Sequence, residues 1–319
     1  MTVQSLPTIA DTVQESFPFN VTKEILSGPN LVDENGHIIE RKTDLYGLFR
    51  DDTHEQIADA SKKAKYVPHT TDDVIALTEA AQQAFAGEED CVLRCYFRKG
   101  HHVIIEPDAK HRVEIFGDKD AVFPRLKIDA NYNGKAHTTT LGTFRDLCAN
   151  LAMLKMVQGI HVKIGHRGNL RADMNRLIDD MSMFAQGWEN LVDHIKDMES
   201  RELSFHDYVR EIFPDPGDGA AQKEISIQRN ILKAIGRRIE LEALKTGRPN
   251  PGMYDMDPIR NPDYRNLKVT GWEAYNAIQG YIQHDVSRAK KFQAFDRMLK
   301  AASDTRVTNA EKAVFALTA

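Results

Sequence analysis

Cys91-Val-Leu-Arg-Cys-Tyr-Phe-Arg-Lys-Gly-His-His-Val-Ile-Ile-Glu106 decides the fold class of this chain. Its first run, Cys91–Arg98, is strand-like, with Val92, Tyr96 and Phe97 among its residues, and its second, His102–Glu106, is rich in β-branched residues. They meet across Lys99-Gly-His-His102, so the stretch predicts an antiparallel hairpin. Alternation places Cys91 and Cys95 on one face of the first strand. Leu31–Ile39 repeats the pattern with Asn35-Gly36 at its centre, a strong turn signal because both residues tolerate positive φ. Leu45–Arg50 reads as a strand that ends in the polar turn Asp51-Asp52-Thr53 and continues into Gln56–Tyr66. Arg112–Phe116, Arg125–Ile128 and Thr138–Thr140 are further strand candidates. One helix interrupts them: Thr70 and Thr71 cap it, Asp72 and Asp73 suit its dipole, and Val74, Leu77, Ala81 and Phe85 form its apolar stripe.

The second half changes period. Leu141–Met156 reads as a helix, and His161–His166 as an edge strand. Leu170–Met198 carries Leu177, Met181, Phe184, Trp188, Leu191 and Ile195 at helical spacing, with Gly187 as its weak point. Ser204 caps a short helix to Phe213. Gln222–Lys245 is amphipathic, with Ile227, Ile231, Ile235 and Ile239 on one side and Arg229, Lys233 and Arg237 on the other. Residues 246–267 form a long loop with four prolines. Gly271–His284, Ser287–Ala302 and a short final segment complete the helices.

The expectation is an α+β protein with an antiparallel, hairpin-rich sheet in its N-terminal half and a helical C-terminal half. Residues 1–20 read as a mobile arm, 21–168 as a sheet-rich domain and 169–319 as a helical region docking on it. The 319 residues, 41% hydrophobic, suffice for a large core. A net charge of −5 and pI near 6.2 exclude a globally basic nucleic-acid binder but permit a local basic patch. No apolar run reaches spanning length, so no membrane partner is expected. Three cysteines in a long chain without a secretory signal suit a cytoplasmic protein with reduced thiols.

Family order appears at several points. Arg145, Cys148 and Asn150 form an Arg-x-x-Cys-x-Asn core, followed by His161, Lys163, His166 and Arg167 and preceded by Ile128-Asp-Ala-Asn-Tyr-Asn-Gly134. Tyr46-Gly-Leu-Phe-Arg-Asp-Asp-Thr53, the Tyr66/Pro68 step and Thr270-Gly-Trp-Glu-Ala-Tyr-Asn-Ala-Ile-Gln-Gly-Tyr-Ile-Gln-His284 lie in the same sequence. This order resembles that of the phage/plasmid-like protein family, a domain of unknown function of phages, plasmids and laterally transferred regions. The expected architecture is also similar to that of single-strand annealing proteins of phage recombination, a likeness of fold only.

Basic residues cluster between Arg145 and Arg176 in an otherwise acidic chain, and such clusters attract phosphates whatever the base sequence. Arg145, Lys155, Lys163, Arg167 and Arg171 are therefore candidate phosphate contacts. Arg229, Lys233 and Arg237 form a second rank, with Tyr132 and Asn150 shaping the site. The function expected is a non-enzymatic phage- or plasmid-type protein that binds single-stranded DNA and anneals strands in recombination or replication, as a homo-oligomer. Two alternatives stand beside it. Glu106-Pro-Asp-Ala-Lys110 resembles the acidic/lysine cluster of a metal-dependent nuclease, and the acidic balance would suit a protein-binding factor that blocks a host defence. The twelve histidines lack the spacing of a standard zinc site. No Walker A loop or dinucleotide fingerprint is present, so no cofactor or metal is expected.

Overall fold

The computed structural model describes residues 8–28, 31–39, 42–57, 64–86, 91–97, 99–106, 112–115, 121–132, 136–145, 150–152, 154, 156–157, 160–165, 170–246, 262–286 and 304–318. The fold is α+β, with its sheets antiparallel where register is defined. Two units divide the chain. The first takes residues 1–108, 125–141 and 161–186, and the second takes 109–124, 142–160 and 187–319. The two units are interleaved along the sequence.

The first unit opens on α1 (Ile9–Ser16). Thr8 and Asp11 make a capping box at its start, satisfying two amides that the first turn leaves open. Val13, Phe17 and Phe19 are buried. The Asn20 amide donates to Asp51 Oδ1 at 2.8 Å, and Thr71 Oγ1 donates to the Phe19 carbonyl at 2.8 Å. Residues 9–20 are thus held by burial and by these bonds, while Met1–Pro7 lie outside the described residues. Next comes a ribbon in which β1 (Val21–Ser27) pairs antiparallel with β4 (Lys42–Arg50). Between them, β2 (Leu31–Val32) and β3 (Ile38–Ile39) close a hairpin over the Asn35-Gly36 turn. Gln56 makes a bridge to Phe49, and residues 58–63 of the run expected to continue from it lie outside the described residues. Phe19, Val21, Leu48, Ile57, Tyr66 and Tyr132 form one buried cluster.

Helix α2 (Thr71–Ala86) starts where the two threonines predict it: Thr70 and Asp73 exchange bonds of 2.8 and 3.2 Å. Val74, Leu77 and Ala81 of its stripe are buried, and the helix packs on α1 and on β6 (Gly100–Glu106). In the sheet of this unit β6 lies between β5 (Val92–Phe97) and β8 (Ala121–Asn131). Beyond β8 come β9 (His137–Arg145) and β11 (His161–Ile164). The hairpin β5–β6 keeps the expected turn, with Lys99 in the left-handed region. Gly100 is required there, since a Cβ would sit 2.5 Å from the Ala130 carbonyl oxygen. Helix α3 (Leu170–Asp179) packs on β11 and α2.

In the second unit, β7 (Val113–Glu114) pairs with the start of β8, and β10 (Asn150–Ala152) with the end of β9. This corrects the helix expected at Leu141–Met156. Thr139, Leu141, Thr143 and Arg145 are all buried, a period of two that outweighs the leucine spacing. Residues 146–149, with Cys148, lie outside the described residues. The long helix expected from Leu170 breaks between α3 and α4 (Met183–Ser200). Three-residue backbone bonds at Met181, Met183 and Phe184 tighten the chain there and keep Met181 and Phe184 buried. Gly187, the expected weak point, lies within the helix.

Helix α7 (Gly271–Gly280) is the centre of the second unit: every residue in it is buried. Thr270 and Glu273 cap it. A Cβ at Gly271 would meet Val314 Cγ1 and lie 2.8 Å from the Met198 carbonyl oxygen. Around it stand α5 (Phe205–Ile212), capped by Ser204 as the sequence predicts, α6 (Gln222–Thr246) and α8 (Thr305–Leu317). Strand β12 (Glu202–Ser204) pairs with β13 (Lys268–Thr270) beside them. The Tyr208 hydroxyl donates to the Ala310 carbonyl at 3.0 Å. Of the loop at 246–267, residues 247–261 lie outside the described residues, as does the helix expected at Ser287–Ala302. Among the described residues, no helix is long and apolar enough to cross a membrane.

Candidate nucleic-acid interface

Alternation divides the sheet of the first unit into two faces of different chemistry. The register sets Tyr96 opposite His102, Arg94 opposite Ile104, His102 opposite Asp129 and Ile104 opposite Lys127. Arg125 and Glu106 follow on the same face, two residues further along each strand. Lys163 is paired with Thr138, and His161 with Thr140. One face therefore carries the cations Arg94, Arg125, Lys127 and Lys163, with His102, against the carboxylates of Glu106 and Asp129. The other face carries Val103, Ile105, Leu126, Ile128 and Ala130, together with His101 and His137.

The centre of the charged face is shielded from water. Side-chain exposure is 4% for Arg125 and 8% for Lys127. Arg125 is paired with Glu106, and Arg94 Nε donates to the same carboxylate at 3.2 Å. Lys127 Nζ meets Asp129 Oδ2, and His102 Nδ1 lies 2.7 Å from Asp129 Oδ1. Burial alone would raise the Asp129 pKa, but Lys127 and His102 hold it below the ordinary carboxylate value. Burial draws the Arg125 guanidinium down to about 10, against the opposing pull of Glu106. These charges persist in a poorly hydrated place because each has an oppositely charged neighbour in hydrogen-bonding range.

The edge of the face is open. Lys163 and His161 are exposed on β11, and His161 Nδ1 lies 2.7 Å from Thr140 Oγ1. Arg171 stands in the first turn of α3 with 76% side-chain exposure and is 3.9 Å from Asp73, beyond hydrogen-bonding distance. Arg176, also exposed, is paired with Asp173 at 2.6 Å. β11 and α3 pack on each other and form a corner; Lys163 is an exposed cation of the first and Arg171 of the second, and Arg167 lies between them in the chain, outside the described residues.

The opposite face holds a buried ring cluster. His69 Nε2 and His101 Nδ1 are 2.8 Å apart, and His69 stacks on Tyr132 with centroids 4.1 Å apart. Phe17, Phe19 and Phe97 surround His101. Burial, with a smaller push from His102, lowers the His101 pKa to about 3, so this ring is neutral at physiological pH.

Two of the expected contact residues, Arg145 and Tyr132, lie in the interior. Arg145 is fully buried, and its Nη1 donates to Glu242 Oε2 at 2.7 Å in the second unit. Tyr132 is fully buried, with its hydroxyl donating to the His69 carbonyl at 2.8 Å. Asn150 pairs with Arg145 through the β10–β9 ladder, and Lys155 lies outside the described residues. Arg229 and Lys233 are half-buried on α6, and Arg237 is exposed there. Arg125, Lys127, Asp129 and His102 join the face without a motif of their own, although Arg125-x-Lys127-x-Asp129 has the two-residue period that puts three charges on one face.

Glu106, the described member of the nuclease-like cluster, is neutralised by Arg125 and Arg94. Asp108 and Lys110 lie outside the described residues. Among the described residues, no group of three or more histidines, cysteines or carboxylates is arranged to hold a metal ion.

The model of a family described as Domain of unknown function (DUF932) matches residues 58–314. The chain belongs to this family. No curated protein and no solved structure matches it. The DUF932 segment contains the charged sheet face, β11, α3 and the buried α7, whereas the ribbon of β1 to β4 precedes it.

Proposed function

We propose that this DUF932 protein binds nucleic acid, with single-stranded DNA as its favoured ligand, through the β11–α3 corner. The carrying observation is that Lys163 and Arg171 are exposed cations on two packed elements, next to Arg167 in sequence. A phosphate backbone is the polyanion that such a corner suits, because each neutralised phosphate releases counterions. The exposed cations follow a strand edge and a helix start, not a helix face shaped for a duplex groove, which favours a flexible single strand. Arg94 lies on the far edge strand of the same charged face with 54% side-chain exposure, extending that face's basic character. Strand annealing and a cytoplasmic setting in recombination or replication belong to this reading. Its test is the binding of the full chain to single-stranded and duplex oligonucleotides at two salt concentrations, beside a Lys163→Glu/Arg171→Glu variant. Retained folding with weakened binding supports the reading, and no binding by the wild-type chain at low salt overturns it.

A further inference from the structure

The β2–β3 hairpin is apolar on both faces and exposed on both. Leu31 pairs with Ile39 and Val32 with Ile38, and alternation puts the two pairs on opposite faces. Leu31 and Ile39 are 51% and 49% exposed, Val32 and Ile38 67% and 70%. Lower on the ribbon, Ile25 and Leu45 are 50% and 42% exposed.

The turn at this tip is firmly built. Asp33 Oδ1 accepts from the amides of Asn35 and His37, both at 2.8 Å, and the Asp33 amide donates to the His37 carbonyl at 2.9 Å. Gly36 has φ +82°, which a side chain would strain. An isolated two-stranded hairpin gains little stability from its own pairing. Leaving these side chains in water forgoes about 25 cal/mol for each Å² that a partner could cover. A fixed turn with exposed apolar shoulders is therefore suited to docking.

Charge selects the occupant. The tip carries Asp33 and Glu34. In its last turns α6 exposes Leu241 and Leu244, 43% and 63%, beside exposed Arg237 and Lys245, with Glu240 at the margin. Arg237, Leu241, Leu244 and Lys245 recur at helical spacing and make one stripe. The apolar, acidic tip complements this apolar, basic stripe.

We propose that the Leu31–Ile39 hairpin docks on α6 of a second copy of this chain. A specific interface takes roughly 800 Å² from each partner. One tip supplies less, so the expected association is weak and depends on concentration.

The experiment is sedimentation of the full chain over a range of concentrations, without nucleic acid. The variants are Val32→Ser/Ile38→Ser, Glu34→Arg, Arg237→Glu, and Glu34→Arg combined with Arg237→Glu, with circular dichroism confirming that each is folded. The wild type should dimerise with rising concentration. The serine variant should weaken dimerisation at least tenfold, each charge reversal should weaken it, and the combined reversal should restore it. A wild type that stays monomeric overturns the proposal. So does a dimer indifferent to the hairpin variants. Loss with the hairpin variants but not with Arg237→Glu, or failure of the combined reversal to restore pairing, overturns α6 as the docking site.

Discussion

Arg145 and Glu242, 97 residues apart in sequence, meet inside the second unit at 2.7 Å, with side-chain exposures of 0% and 8%. The Arg145 guanidinium also lies 5.9 Å from the Trp272 ring. A buried pair of this kind couples the end of β9 to α6. Removing one partner strands the other charge, which costs about 3–5 kcal/mol. Arg145→Met should therefore lower the denaturant midpoint by that order, and Arg145→Met/Glu242→Leu should recover much of the loss. Chemical denaturation checks both. Where the double variant folds, its affinity for DNA should show the wild-type salt dependence, because Arg145 has no surface to offer a phosphate.

The ring cluster makes a pH prediction. His101 has an ordinary value of 6.5 and a folded value of about 3. Between these values the unfolded chain binds a proton at this position that the folded chain refuses. Stability from His101 is therefore complete above pH 6.5 and declines as pH falls toward 3, by up to about 1.4 kcal/mol per pH unit. His101→Gln removes the titration, and its acid limb should be flatter than the wild type's by that slope. Equilibrium denaturation at pH 7, 6, 5 and 4 decides it, and parallel profiles would count against the neutral buried ring.

The carboxylate of Asp129 faces both Lys127 and His102 in a shielded place. Asp129→Asn keeps the shape and removes the charge that Lys127 needs and the carboxylate that faces His102. We expect destabilisation of about 3–5 kcal/mol. Lys163→Glu, at the exposed edge of the same face, should change stability by no more than about 0.5 kcal/mol. Thermal and denaturant unfolding of the two variants make the comparison.

Gly271 begins the buried α7 with no room for a methyl group, because its Cβ position is taken by Val314 and the Met198 carbonyl oxygen. Gly271→Ala should cost about 1–3 kcal/mol through overpacking. Gly217, around which a Cβ would meet nothing within 4 Å, should accept alanine with little change. Unfolding midpoints of the two variants check the contrast.

What was legible in the sequence was local. The turns at Asn35-Gly36 and Lys99-Gly100 and the caps at Thr70 and Ser204 act over three or four residues, so the chain displays them directly. Residues 141–156 were misread because their leucines recur at helical spacing while the burial of Thr143 and Arg145 follows strand alternation. Which period wins depends on the pairing of β10 with β9 and on Glu242, far along the chain. The same distance hid the fate of Arg145, whose charge reads as a surface feature until its partner is known. The candidate site was half legible. Lys163 and Arg171 stood out as cations, but the charges on β6 and β8 make one face only once the two strands are in register. Thr8 and Asp11 carry the spacing of a capping box, yet a polar N-terminal stretch gives no sign that Phe17 and Phe19 will be buried.

The central claim is that Lys163 and Arg171 hold nucleic acid, and the salt dependence of binding tests it most directly. Affinity of the full chain for a single-stranded oligonucleotide is measured at several salt concentrations, beside Lys163→Glu/Arg171→Glu. The account predicts wild-type affinity that falls steeply with salt. It also predicts a folded variant that binds more weakly, with a slope shallower by about 0.7 for each lost phosphate contact. A wild-type chain that binds no nucleic acid at low salt, or a variant whose affinity and slope match the wild type's, would contradict it.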